Sequence, residues 1–77
     1  MLFEKYGLTP EEDIIVQWQY RYLGDFRTAL FEAICLADEN NLYKLSLGFP
    51  IEVEGYKKYS MQEGWWQEVL IKIGKEV

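Results

Sequence analysis

The sequence predicts an all-α fold, a small single-domain bundle of four or five short helices spanning residues 1–77. Three observations carry that expectation. Between Phe26 and Ala37, apolar residues recur at helical spacing, as Phe26, Ala29, Leu30, Ala33, Ile34 and Ala37. Thr9-Pro10-Glu11-Glu12 reads as a helix start, with a capping threonine, proline at the first helical position and glutamate three residues on. The glycines fall at breaks between apolar runs, where helices end.

Taken in order, Met1 to Gly7 is a lead-in whose Leu2, Phe3 and Tyr6 are expected to pack loosely on the domain. The first helix is predicted from Pro10 to about Leu23, with Leu8 packing back on Ile14 and Gly24 closing it in a left-handed cap. Its expected buried face is Ile14, Ile15, Trp18 and Tyr22, with Val16, Tyr20 and Leu23 round the side. Asp25 is expected to cap the second helix, so that Gly24 and Asp25 form nearly the whole connection. That helix is the predicted centre of the fold: its stripe is apolar, Phe31 and Cys35 widen it, and its alanines admit close neighbours.

After Ala37, Asp38 is expected to cap a third helix carrying Leu42, Leu45 and Tyr43, stopped near Gly48. Pro50 opens a fourth segment. Its alternating Ile51-Glu52-Val53-Glu54 also fits a short strand ended by Gly55, but no second strand is there to pair with it, so helix is favoured. A last helix follows Gly64, with Trp66, Val69, Leu70 and Ile73 on one face, Lys72 suited to its C-terminal dipole and Gly74 as its stop.

Composition removes several functions. There is no histidine and one cysteine, so a nucleophile–base pair, a transition-metal site and an intrachain disulfide all lack their residues. Cys35 is expected to be a small core residue, and Ser46 and Ser60 have no base to activate them. No glycine-rich phosphate loop is present. A non-enzyme without cofactor or metal is expected. A net charge of −5, with no basic cluster beyond Lys57-Lys58, argues against direct binding to nucleic acid. No stretch reads as a signal peptide or approaches the roughly 20 apolar residues of a membrane span, and a lone cysteine suits a reducing compartment, so a cytoplasmic protein is expected.

Two features point outward. Glu11, Glu12, Asp13, Asp25, Asp38, Glu39 and Glu52 sit at predicted helix starts, where the macrodipole favours acids, and the same acids would also suit the basic groove of a nucleic-acid-handling partner. Aromatics make up 17% of the chain, more than so small a core easily buries. Tyr20, Tyr43, Tyr56, Tyr59 and Trp65 are the candidates for an exposed surface, with Arg21 and Arg27 beside them.

The segments Val16-Gln17-Trp18-Gln19-Tyr20, Leu47-Gly48-Phe49-Pro50 with Glu52-Val53-Glu54-Gly55-Tyr56, and Gly64-Trp65-Trp66-Gln67 resemble those of small proteins encoded by phages and prophages of Gram-positive bacteria. The resemblance covers Tyr6 to Ile73 and transfers no catalytic residue. It implies an accessory protein made inside a bacterial cell. In being small, acidic and without enzymatic motifs, the chain is similar in class to anti-CRISPR proteins. The expected function is therefore inhibition of a host protein, a CRISPR effector nuclease or another nucleic-acid-handling defence factor. Glu11, Glu12, Asp13, Asp38 and Glu39 would face a basic groove, and Tyr56, Tyr59 and Trp65 would be apolar anchors. The alternative is assembly, as a homo-oligomer or within a phage complex. A DNA-binding role would need Arg21, Arg27, Lys44, Lys57 and Lys58 to converge.

Overall fold

The computed structural model describes residues 6–74, which form an all-α arrangement. Five helices follow one another: α1 (Pro10–Gln19), α2 (Asp25–Leu36), α3 (Glu39–Gly48), α4 (Pro50–Met61) and α5 (Trp65–Lys72). The expected packing of Leu2 and Phe3 lies outside the described residues.

The helix start at Thr9 forms as its residues dictate. Thr9 Oγ1 accepts from the Glu12 N–H at 3.2 Å, the Glu12 carboxylate accepts from the Thr9 N–H at 2.8 Å, and Pro10 occupies the first helical position. Asp38 likewise caps α3, accepting from the Asn41 N–H at 2.8 Å. Gly74 takes the positive φ, 79°, expected of a stop after α5. Two caps differ from expectation. α1 ends four residues early, and the left-handed position falls on Arg21 (φ 62°) instead of Gly24. Tyr22 N–H donates to Gln17 O at 2.8 Å and Arg21 N–H to Trp18 O at 3.2 Å, the paired bonds of a Schellman turn. Gly24 is extended and stands at the N-cap of α2, so Asp25 is the first helical residue and makes no side-chain cap bond.

The hub of the packing is α4, which lies against α1, α2, α3 and α5, with its widest contact on α1. It runs as helix straight through Gly55. Around it sits the main core: Ile14, Ile15, Leu30, Phe31, Ile34 and Val53, with Trp18, Leu42, Leu45, Phe49 and Tyr56 half-buried against it. A smaller core joins Leu8, Val16 and Val69. Leu8 therefore packs with Val16 and Val69, and Ile14 belongs to the other core.

On α2 the buried side is Leu30, Phe31 and Ile34, whereas Phe26, Ala29, Ala33 and Cys35 are exposed. At 100° per residue, the buried side is centred roughly 75° away from the centre of the expected stripe. Both faces of α2 are apolar, and the domain covers one of them. The neighbouring helices pack on the side that carries Leu30, Phe31 and Ile34, and the outward side has none of them above it. Tyr22, expected in the core, is 71% exposed for a related reason, since it lies beyond the end of α1.

Candidate protein-binding surface

The expected acidic face divides. Glu12 and Asp13 are buried and cannot meet a partner, which removes them from the set. Their position explains it: the first turn of α1 is covered by the C-terminal helix. Lys72 at the end of α5 donates to both Glu12 carboxylate oxygens, at 2.9 and 3.0 Å. Burial by itself would raise the Glu12 pKa, but the Thr9 N–H and the Lys72 ammonium outweigh it and hold the carboxyl below its usual range. Asp13 Oδ1 is buried with no hydrogen-bond partner, a cost of about 1–3 kcal/mol that the positive end of the α1 dipole partly offsets. Glu11 is half-buried. Asp38 and Glu39 are exposed at the start of α3 and remain available. No group of three or more His, Cys, Asp or Glu side chains among the described residues is placed to hold a metal ion.

The expected anchors Tyr56, Tyr59 and Trp65 are all half-buried, and their rings hold helices together. Trp18 of α1 stacks on Phe31 of α2 at 4.7 Å and 14°. Tyr59 meets Trp18 edge-on at 5.6 Å and Trp66 edge-on at 5.6 Å, while Tyr56 leans on Trp18 at 6.4 Å. This chain of rings links α1, α2, α4 and α5. Trp65 packs against both cores.

The open aromatic surface is at the turn that closes α1, where Tyr20 and Arg21 are exposed as expected, while Tyr43, also expected outside, is exposed on α3. Tyr20 and Tyr22 flank Arg21 with ring centroids 6.5 Å apart and planes within 27°, and they are 38% and 71% exposed. Beside them a groove of about 370 Å³ is lined by Trp18, Gln19, Arg21, Thr28 and Glu32. The left-handed backbone at Arg21 throws these side chains outward together. Their signal in the sequence was the run Gln19-Tyr20-Arg21-Tyr22, which a longer first helix would have spread over two faces.

Cys35 is at the surface rather than in the core. Partial burial of its thiol and the nearby Glu32 carboxylate push its pKa up, which disfavours the nucleophilic thiolate. Arg21, Arg27, Lys44, Lys57 and Lys58 lie on the α1–α2 turn, α2, α3 and α4, and Arg27 approaches Glu52 at 4.0 Å. No helix among the described residues is long and apolar enough to cross a membrane. Compared with protein-family models, curated proteins and solved structures, the chain matches none of them.

Proposed function

We propose that this chain is a non-enzymatic binding protein that occupies and inhibits a bacterial host protein. The observation that supports this reading most directly is the Tyr20-Arg21-Tyr22 turn. Tyrosine, arginine and tryptophan are the residues that most often dominate protein interfaces, and here two tyrosines and an arginine stand on a turn fixed by backbone hydrogen bonds. Such a turn loses little conformational entropy on docking, so more of the contact energy appears as affinity. In the proposal, Tyr22 fills an apolar recess on the partner and Arg21 pairs with a carboxylate. Asp38 and Glu39 contribute a weaker attraction to basic groups. The target we propose, following the resemblance of the sequence to small phage proteins, is a defence factor that handles nucleic acid, such as a CRISPR effector nuclease.

The test is capture from a lysate of a Gram-positive host with the immobilised chain and with its Tyr22→Ser variant, at low and high salt. A nucleic-acid-handling host protein held by the natural chain is expected, with retention reduced about tenfold or more by Tyr22→Ser. Anchoring through Tyr22 survives high salt, whereas a share carried by Asp38 and Glu39 fades with screening. Recovery of no host protein, or retention indifferent to Tyr22, would sink the reading.

A further inference from the structure

We infer that the face formed by α2 and α3 is the docking surface for a second copy of this chain. Phe26 and Leu36 are 67% and 87% exposed on α2. Alongside them, Ala33, Leu36 and Ala37 of the α2 end and Asn41, Lys44 and Leu45 of α3 line an open groove of about 510 Å³. Phe26 leans on Phe49 at 6.0 Å and so stands at the far end of the same face.

The arrangement is self-complementary. Phe26, Ala29, Ala33 and Leu36 lie within about 80° of one another round the helix. Their spacing of three, four and three residues reads the same in both directions. A two-fold axis midway between Ala29 and Ala33 therefore sets two α2 helices antiparallel, each alanine opposite an alanine of the other copy. Phe26 of each copy then meets Leu36 of the other and enters its groove, where the small side chains of Ala33 and Ala37 leave room. A closed two-fold contact of this kind uses the same patch twice and leaves no free end.

Size sets the strength. α2 is about 18 Å long, and with the near side of α3 across the groove the face is roughly 20 Å wide, or about 360 Å² per copy, so two copies bury on the order of 700 Å² in total. That is below the size of a standard specific interface and corresponds to a weak, reversible dimer. Electrostatics opposes it: each chain carries a net charge of −5, and a two-fold pairing brings the flank bearing Asp25 and Glu32 toward its own copy. Salt therefore strengthens this association, the reverse of what it does to acids on a basic partner.

Sedimentation equilibrium of the purified chain, from 10 µM to 1 mM at low and high salt, reads this directly. The mass is expected to rise from 9.2 kDa toward twice that value, and further at high salt. Leu36→Glu and Ala33→Glu, both at exposed positions, are expected to stay monomeric over the whole range with unchanged helix content. Leu47→Glu is expected to associate as the natural chain does, since Leu47 is 70% exposed but lies about 160° round α3 from Leu45. A monomer at 1 mM in both salts, association weakened by salt, or loss with Leu47→Glu but not Leu36→Glu would overturn it. No host protein enters the measurement, so its failure leaves the inhibitor proposal standing.

Discussion

Gly55 of α4 meets Ile15 of α1 without room for a side chain between them. A Cβ at Gly55 would lie 3.0 Å from Ile15 Cγ1 and 3.1 Å from the Glu11 carbonyl oxygen. Glycine inside a helix costs about 1 kcal/mol relative to alanine, so its presence here is offset by the closeness of the crossing. Ile15 is fully buried and Glu11 O belongs to the α1 backbone, so neither yields easily. Overpacking typically costs about 1–3 kcal/mol, more than the propensity alanine would gain. Gly55→Ala is expected to lower stability in urea by about 1 kcal/mol, and Gly55→Val by more than 3 kcal/mol. An alanine variant as stable as the natural chain would mean that α1 and α4 can separate freely.

The ion pair between Glu12 and Lys72 ties the first helix to the last, 60 residues apart. Its Glu12 side chain is 9% exposed and its Lys72 side chain 43%, so the pair is partly shielded from water. Lys72→Met keeps the stem and removes the charge, and is expected to cost about 1–2 kcal/mol at neutral pH. The pH dependence follows from the lowered pKa of Glu12. A depressed carboxylate stabilises the fold above the unfolded value, about 4.3, and that contribution is lost as pH falls through the folded value. The gap between natural chain and Lys72→Met should therefore be full at pH 7 and shrink below about pH 4. Denaturant melts at both pH values check it; a gap of equal size at pH 3 would mean that packing of the stem, not charge, is what Lys72 supplies.

Much of the fold was legible because its signals are local. A capping box needs only residues 9–12, and Asp38 needs only its own helix start, so both were readable without tertiary knowledge. Periodicity, in contrast, says that a face is apolar and not what covers it. For α2 the stripe through Phe26, Ala29 and Ala33 is apolar, as is the side through Leu30, Phe31 and Ile34, and the positions of α1 and α4 decide which is covered. The hub itself was the least legible element: Ile51-Glu52-Val53-Glu54 alternates like a strand, and Gly55 looks like a stop when its real cause is the close approach of Ile15. For the surface, Tyr20 and Arg21 were legible as exposed, but Tyr22 read as core because the first helix was expected to run past it.

That turn carries a measurable cost. Arg21 adopts a left-handed backbone that glycine enters freely and other residues enter at about 1–2 kcal/mol. Arg21→Gly is expected to raise stability by about 0.5–1 kcal/mol, since the Schellman bonds do not involve the side chain. If the arginine serves binding, the same variant binds the partner more weakly while melting at a higher temperature. Opposite signs in the two measurements separate a functional arginine from a merely tolerated one. A variant less stable than the natural chain would show that the Arg21 side chain holds the turn.

Phe26 and Phe31 give the sharpest contrast on one helix. Phe31 is 0% exposed and stacked on Trp18, whereas Phe26 is 67% exposed and touches Phe49 at one edge. Truncating a buried phenylalanine removes its transfer energy and leaves a cavity, together about 3–5 kcal/mol. Phe31→Ala is expected to reach that range, a large share of the total stability of a 77-residue domain, and to release the Trp18 indole to water. Phe26→Ala is expected to cost less than about 1 kcal/mol in dilute solution, where each chain is alone. Its effect should appear only with concentration, as the loss of self-association. Urea melts with tryptophan fluorescence, run at 5 µM and again near 1 mM, distinguish the two. Equal losses for both variants at low concentration would show that Phe26 supports the single chain and not the contact between two.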